Sequence, residues 1–204
     1  MILKDKPTIK RYLSHLGADV IAKIKRAKTF ADIGCAKGQL LKLLHAEFKK
    51  PKENLFGFDV SKKFIAETKK SFPHVYCWNF TYKKPPRQKF DVVFVLDVLE
   101  HIENPFKFLR NIIALMKNDS ILVLSTPNIN SFSYFIQKHK WFGFKDKTHK
   151  IFYCRASLFH LLEQYGLKVS KFKTISSTGF SFYDKMISAL CLGGQILLVA
   201  EKKK

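Results

Sequence analysis

The chain has 204 residues, of which 47% are hydrophobic, and it carries a formal net charge of +21. This length suits a single domain covering residues 1–204, and the apolar content excludes a chain without a packed core. No apolar run reaches the roughly 18 residues of a membrane-spanning helix, and the first residues lack the apolar stretch of a secretory signal. The four cysteines form no Cys-x-x-Cys pair, which favours free thiols in a cytoplasmic protein over a zinc or disulfide framework.

The positive charge raises the question of an anionic partner, either RNA or a membrane surface. Only five of the 37 basic residues are arginine, the side chain that best recognises phosphates and base edges. The lysines are spread along the whole chain, with no dense block beyond pairs and the terminal Lys202–Lys204. The charge therefore leaves RNA and a membrane surface open as alternatives without favouring either.

Short apolar runs alternate with helical periodicity along the chain, after a leading segment of residues 1–28 in which Pro7–Arg26 predicts an amphipathic helix. The predicted strands are Thr29–Ile33, Leu55–Asp59, Val75–Trp78, Phe90–Leu96, Ile121–Leu124, Leu167–Phe172 and Gln195–Val199. The predicted helices between them are Gln39–Phe48, Lys62–Ser71, Pro105–Met116 and Ala156–Tyr165. This alternation predicts an α/β fold whose sheet is covered by helices on both faces.

Three stretches depart from the alternation. Tyr82–Gln88 is polar and contains proline, which predicts a loop, and Thr174–Gly194 has room for a loop and a short helix. Ser131–Lys150 mixes aromatic residues with lysines and follows a strand end, where α/β folds place their ligand sites. We expect residues 131–150 to form a substrate lid. Its aromatics could bind a flat or lipidic molecule, meet a membrane interface or complete the core, and its lysines could bind an anionic molecule.

The strongest local motif is Phe30–Gly38, in which an apolar strand ends and a helix begins shortly afterwards. Its glycines permit a tight turn, and the free N–H groups at the helix start attract a ligand. The spacing Gly34-x-Ala36-x-Gly38 matches neither the dinucleotide fingerprint nor the phosphate-loop pattern, so no pyrophosphate site is indicated. Asp59 closes the next predicted strand, where a carboxylate can accept two hydrogen bonds from ribose hydroxyls.

Four segments of the sequence carry a resemblance to a known family. They are Asp32–Gly38, Asp59, Phe90–Ile102 and Ser125–Asn128, and the phrase Asp97–His101 is their most specific part. Together they resemble class I S-adenosylmethionine (SAM)-dependent methyltransferases, in the branch that contains the ubiquinone-biosynthesis O-methyltransferases. The resemblance implies a SAM cofactor and a Rossmann-like, seven-stranded, mostly parallel sheet that ends in an antiparallel hairpin.

The resemblance also implies which residues contact the cofactor. They are Asp32, Gly34, Ala36 and Gly38 around the methionine half, Asp59 and Val60 at the ribose, Asn79 and Phe80 by the adenine, and Leu96 and Asp97 near the sulfonium. Two positions depart from the family pattern: Ala36 replaces the usual middle glycine, and Asn79 stands where aspartate is common. We expect both to be tolerated, since an amide can still bond the adenine amino group.

Two carboxylates and an imidazole follow the fourth predicted strand. If a helical turn starts at Asp97, spacings of three and four put Asp97, Glu100 and His101 on one face. With His149 as a fourth ligand they would suit a divalent cation such as magnesium, and related O-methyltransferases bind a metal at matching positions. Two alternatives stay open: catalysis by His149 or His101 without a metal, with His149 as general base, and ordinary loop contacts.

The resemblance implies methyl transfer, which we expect to reach the oxygen of a small-molecule acceptor. Two alternatives come from other classes. An RNA methyltransferase would bind RNA in a salt-sensitive manner through a continuous basic face. A non-catalytic domain would bind SAM, or nothing, while serving a partner protein, and Ala36 keeps this alternative open. The sequence gives no indication of the oligomeric state.

Overall fold

The computed structural model describes residues 9–176 and 181–203, and its centre is one seven-stranded sheet. The strands are β1 (Phe30–Ile33), β2 (Leu55–Asp59), β3 (His74–Cys77), β4 (Phe90–Leu96), β5 (Met116–Pro127), β6 (Leu167–Ile175) and β7 (Gln195–Lys202). The α-helices are α1 (Ile9–Ser14), α2 (Ala18–Arg26), α3 (Gln39–Phe48), α4 (Lys62–Lys69), α5 (Pro105–Ala114), α6 (Phe132–Gln137), α7 (Phe142–Lys145), α8 (Arg155–Gln164) and α9 (Ser181–Ala189). Short 3₁₀ helices occur at Lys52–Asn54, Leu99–His101 and Lys138–Lys140.

The strand order is β3-β2-β1-β4-β5-β7-β6, and β7 runs antiparallel to both of its neighbours. All pairings among β1 to β5 are parallel. Ile33 pairs with Phe58 on one side and Val95 on the other, so the carboxyl ends of β1, β2 and β4 meet at one edge. The prediction of a mostly parallel Rossmann-like sheet with an antiparallel end is confirmed, and this edge is where such folds bind ligands.

Helices cover both faces of the sheet. One core packs apolar residues of α5 and α8 against inward side chains such as Val93 and Val95. The other packs α1, α2 and α3 against the alternate side chains Val92 and Phe94. Because successive residues of a strand point to opposite faces, the central strands are apolar on both sides, as their continuous apolar runs predicted.

The structure differs from the predicted elements at the amino-terminal helix and at β5. The helix predicted over Pro7–Arg26 is broken at Gly17, whose φ of 86° few other residues adopt, so α1 and α2 are separate. Strand β5 begins five residues before the predicted Ile121, because Met116 also pairs with β4, at Phe90, across a shift in register. Of the segment Thr174–Gly194, α9 supplies the expected short helix, and residues 177–180 lie outside the described part.

Two compositional expectations can be compared with the structure. All four cysteines are free thiols, as predicted. Among the helices that the structure describes, none is both long and apolar enough to cross a bilayer.

Candidate functional site

The turn between β1 and α3 has a backbone that favours glycine. Gly34 has a φ of 77°, and a Cβ atom at this position would lie 2.4 Å from Cγ2 of Val98. The Gly34 N–H also donates to the carbonyl of Phe58 at 2.7 Å. Gly38, with a φ of 69°, is the N-cap residue of α3, directly before the first helical residue Gln39. The predicted tight turn is confirmed, and it packs directly against the loop that follows β4.

Asp59 faces this turn from the end of β2. Its Oδ2 accepts the N–H of Ala36 at 2.8 Å, and its Oδ1 accepts the N–H of Ser61 at 2.8 Å. The φ of Ala36 is 42°, which lies in the left-handed region that a glycine would adopt without strain. These two hydrogen bonds fix the carboxylate of Asp59 in place. Because each carboxylate oxygen has further lone pairs, Asp59 can still accept hydrogen bonds from a ligand.

Asp32 is buried at the end of β1. Burial, and to a lesser extent the charge of Asp59, raise the pKa of its carboxyl to about 7. A cationic group bound beside Asp32, such as a sulfonium or an ammonium group, would favour the ionised form of the Asp32 carboxyl.

The remaining predicted cofactor residues differ in their solvent exposure. Val60 is exposed, and Leu96 and Asn79 are half-buried. Asn79 Oδ1 accepts the N–H of Thr81 at 2.9 Å, which closes a local turn. The ring of Phe80 is buried in the core, so a contact of this residue with an adenine would fall to its backbone.

Asp97 lies directly after β4, and its side chain points away from Glu100, His101 and His149, with which it was predicted to form one site. Its φ is 53°, so no right-handed helical turn starts there. Its carboxylate accepts hydrogen bonds from the hydroxyl of Tyr12 at 2.9 Å, the hydroxyl of Ser125 at 2.8 Å and the side-chain amide of Gln195 at 3.1 Å. The prediction that Asp97 belongs to the metal site is therefore wrong, because its backbone directs the carboxylate to donors on α1, β5 and β7. We call these four residues the Asp97 network.

Glu100 lies on the other face of the sheet, as the neighbouring residues of β5 demonstrate. Asp97 bonds to Ser125, whereas Glu100 Oε2 accepts the hydroxyl of Thr126 at 3.0 Å. Since adjacent strand residues point to opposite faces, two carboxylates only three positions apart are separated by the sheet.

Burial and the charge of Asp97 raise the pKa of Tyr12, so its hydroxyl remains a donor to the Asp97 network.

Glu100, His101 and His149 form a second polar group, the Glu–His cluster, whose ligand atoms all lie within 4.8 Å of one another. Glu100 is 1% exposed, and the rings of His101 and His149 lie 4.7 Å apart. The N–H groups of Lys150 and Ile151 donate to the Glu100 carbonyl, which brings His149 to the cluster from a distant part of the sequence. Three of the four predicted metal ligands therefore lie together, without Asp97.

The hydrogen bond of His149 determines which of its ring nitrogens faces the cluster. Nδ1 lies 2.8 Å from the carbonyl of Gly143, and because a carbonyl can only accept, Nδ1 carries the hydrogen. Nε2 then holds the lone pair of the neutral ring. It is buried and has no hydrogen-bond partner among residues 9–176 and 181–203, although Asp146 Oδ2 lies 3.7 Å away.

Comparison with known families adds a match over most of the chain. A family profile described as "Methyltransferase domain" matches residues 7–171. The chain belongs to this family. With the strand order described above, it is a class I SAM-dependent methyltransferase.

Individual relatives agree with this assignment. The ubiquinone biosynthesis O-methyltransferase of Rhodopseudomonas palustris (strain HaA2) is 34% identical over 104 residues, which are 48% of this chain and 40% of that protein. The chain therefore matches less than half the length of this curated relative. A SAM dependent methyltransferase from Archaeoglobus fulgidus is 22% identical, with 90% of each chain covered and a TM-score of 0.68. The plantazolicin methyltransferase BpumL in complex with SAH is 16% identical, with 95% of this chain and 85% of that chain covered and a TM-score of 0.68. Both structures share the fold.

Sequence reasoning missed three residues next to the predicted site residues: Tyr12 and Gln195, which hydrogen-bond to Asp97, and Tyr153, which lies near Glu100. Tyr12 lies on the apolar face of α1, where a tyrosine needs a hydrogen-bond partner, and this was the available signal. Gln195 begins a buried strand, and a polar residue there carries a similar signal. The Tyr153 hydroxyl is buried and has no hydrogen-bond partner in the part of the chain that the structure describes. Burial and the charge of Glu100 raise the pKa of Tyr153, and no motif marked this residue.

The predicted lid of the methyltransferase, residues 131–150, is partly core and partly surface. Trp141 is fully buried and packs against Tyr134, Phe144 and Phe152 with ring centroids 5.4–5.7 Å apart. Phe135, by contrast, is 75% exposed. The exposed lysines of the segment are Lys138, Lys140, Lys145, Lys147 and Lys150. Trp141 therefore anchors the segment that delivers His149, and the binding partner of its exposed side stays a prediction.

Proposed function

We propose that this methyltransferase transfers the methyl group of SAM to a hydroxyl oxygen of a small-molecule acceptor. The observation that carries the proposal is the position of the Glu–His cluster, because Val98 packs on Gly34 of the glycine turn and Glu100 follows two residues later. An acceptor bound at the cluster would thus lie close to the turn proposed to hold the cofactor. The partial likeness to a ubiquinone biosynthesis O-methyltransferase supports oxygen as the accepting atom.

The proposed cofactor residues lie around the carboxyl ends of β1, β2, β3 and β4. They are Asp32, Gly34, Ala36 and Gly38 for the methionine half, Asp59 and Val60 for the ribose, Asn79 and the Phe80 backbone for the adenine, and Leu96 and Asp97 beside the sulfonium. The fixed carboxylate of Asp59 fits this proposal, since it faces the turn and retains acceptor capacity. SAM supplies an activated methyl group, so the protein contributes mainly by orienting the acceptor oxygen.

Glu100, His101 and His149 fit a divalent cation, and we propose that they hold one. A cation there would lower the pKa of an acceptor hydroxyl. Two imidazoles and one carboxylate leave coordination positions open and suit manganese, iron or zinc. Magnesium prefers oxygen ligands, so the loss of Asp97 from the site makes magnesium the weaker choice.

A metal-free mechanism would use the same atom of His149. Its Nε2 lone pair faces the cluster and would accept a proton from the acceptor hydroxyl as a general base. The two mechanisms differ in one measurable respect: treatment with a chelator abolishes transfer in the first and leaves it intact in the second. We favour the metal-dependent mechanism, because three potential ligands converge at this point.

The experiment that tests the cofactor site is a calorimetric titration of the cofactor-stripped protein with SAM. We expect one-to-one binding, weakened about 10–100-fold by Asp59→Ala, because the variant loses charge-assisted hydrogen bonds of about 1.5–3 kcal/mol. Asp119→Ala removes an exposed carboxylate near the opposite end of β5 and serves as the matched control with unchanged affinity. Absence of binding by the folded protein would contradict the proposed function.

The acceptor is tested by methyl transfer to a panel of hydroxyl-bearing small molecules, in chelator and after addition of Mn²⁺. We expect transfer that depends on the metal. SAM binding without transfer to any acceptor would favour the non-catalytic alternative. Salt-sensitive RNA binding together with RNA methylation would favour the RNA methyltransferase.

A further inference from the structure

We infer that Thr148 is a positioning residue that fixes the orientation and tautomer of His101 in the Glu–His cluster. The inference rests on the proposed function, in that it concerns how the proposed metal site is held. It names a residue outside the ligand set, and it follows from the direction of two successive hydrogen bonds.

The first hydrogen bond joins Thr148 to Asp146. Thr148 Oγ1 lies 2.5 Å from Asp146 Oδ1, and an ionised carboxylate can only accept. The hydroxyl hydrogen of Thr148 is therefore directed to Asp146. The N–H of Thr148 donates to the same Oδ1 at 3.0 Å, and the N–H of His149 donates to the Asp146 carbonyl at 3.1 Å. A short turn thus fixes the hydroxyl in place.

The second hydrogen bond joins Thr148 to His101. Thr148 Oγ1 lies 2.9 Å from His101 Nδ1, and with its hydrogen already committed, the oxygen can only accept. Nδ1 of His101 therefore carries the hydrogen. In the neutral ring, Nε2 is then the nitrogen that holds the lone pair, which is the form a metal ligand needs.

The two histidines of the cluster are thus oriented by the same short segment. His149 donates from Nδ1 to the Gly143 carbonyl at 2.8 Å, and His101 donates from Nδ1 to the Thr148 hydroxyl. Thr148, which directly precedes the proposed ligand His149, thus orients the imidazole of His101, the other proposed histidine ligand. Outer-shell partners of this kind typically change metal affinity by about 10–100-fold when they are removed.

The test compares Thr148→Val, which removes the hydroxyl at nearly constant shape, with Thr148→Ser, which keeps it. Two properties of the full chain are measured. The first is the tautomer of His101 in metal-free protein, by NMR of ¹⁵N-labelled histidine. The second is the affinity for Mn²⁺ alone, by electron paramagnetic resonance titration. Calorimetric SAM affinity in both variants reports whether the fold is intact.

We expect the Nδ1–H tautomer in the wild type and in Thr148→Ser, and its loss in Thr148→Val. Mn²⁺ affinity should fall about 10-fold in Thr148→Val, near the lower end of the outer-shell range because Thr148 is exposed, and should be largely restored in Thr148→Ser. An Nε2–H tautomer in the wild type, or equal Mn²⁺ affinity in wild type and Thr148→Val, would overturn the positioning role while leaving the metal site standing. A wild type that binds neither Mn²⁺ nor Zn²⁺ would instead overturn the metal site, and the inference with it.

Discussion

The carboxylates of the Asp97 network and of the Glu–His cluster, Asp97 and Glu100, are three residues apart in the sequence. They lie on opposite faces of the same sheet. In the network, side chains from α1, β5 and β7 donate to one carboxylate. In the cluster, the buried Nε2 of His149 finds no hydrogen-bond partner among the described residues. The Asp97 carboxylate meets its polar demand within the protein, whereas Nε2 of His149 does not; at the edge of the network, Gln195 Oε1 is also buried without a hydrogen-bond partner among the described residues.

This difference separates a structural polar group from a binding one. A buried polar atom without a partner costs about 1–3 kcal/mol, so a folded protein retains such atoms where a ligand can meet the demand. The Asp97 carboxylate accepts three hydrogen bonds within the protein, and the one from Tyr12 connects α1 to the sheet edge. The Glu–His cluster is less complete without a ligand. The comparison therefore predicts that variants of the network change stability and leave metal affinity unchanged, whereas variants of the cluster change metal affinity.

The largest effect is expected when the cluster loses its carboxylate. Glu100→Gln keeps the shape of the side chain and removes its charge, so Mn²⁺ affinity should fall by more than about 100-fold, beyond the range typical of outer-shell changes. The measurement is a Mn²⁺ titration followed by electron paramagnetic resonance, with urea denaturation as the check that each variant is folded. Asp97→Asn is the matched control, because asparagine tolerates the positive φ of this position. Loss of Mn²⁺ binding in the control would return Asp97 to the metal site and break the comparison.

A smaller effect is expected in the network from Tyr12→Phe. The variant loses a hydrogen bond to an ionised carboxylate, so the free energy of unfolding should fall by about 1.5–3 kcal/mol. Urea denaturation measures this change. Tyr76→Phe, which alters an exposed hydroxyl on β3, should leave the unfolding midpoint nearly unchanged. Equal stability of Tyr12→Phe and wild type would show that the network does not hold α1 in place.

The smallest effect, and one of opposite sign, is expected from Tyr153→Phe near the cluster. Removing a buried hydroxyl without a hydrogen-bond partner should raise the free energy of unfolding by about 1 kcal/mol. If this hydroxyl meets the acceptor, the rate of methyl transfer should fall in the same variant. Thermal denaturation and the transfer assay together test both parts. A destabilised variant would mean that the hydroxyl already has a structural role.

The sequence predicted the α/β class and the glycine turn because both depend on local patterns, whereas the seven strands and the antiparallel end were implied by the family resemblance. Apolar runs on both faces indicated buried strands, and Gly34 with Gly38 indicated a turn that the structure contains. Asp59 could be predicted as well, since its place at a strand end follows from the extent of an apolar run. These features need no knowledge of distant parts of the chain.

The direction of Asp97 could not be predicted in this way. It depends on a left-handed backbone at one residue and on donors 85 and 98 positions away in the sequence. The predicted grouping of Asp97 with Glu100 requires a right-handed turn at Asp97, which the positive φ of this residue rules out. The break of the leading helix at Gly17 could not be predicted either, because the amphipathic periodicity continues across this residue.

The position of β7 in the sheet has a consequence for how the chain folds during synthesis. This strand is the last of the seven in chain order but lies between β5 and β6, so β6 joins the sheet only once β7 has emerged from the ribosome. Gln195, its first residue, also completes the hydrogen bonds of Tyr12 and Asp97. A nascent chain that lacks β7 therefore has an incomplete sheet and an open network next to the proposed cofactor site. Folding of this methyltransferase should accordingly finish late, after nearly all of the described residues have been made.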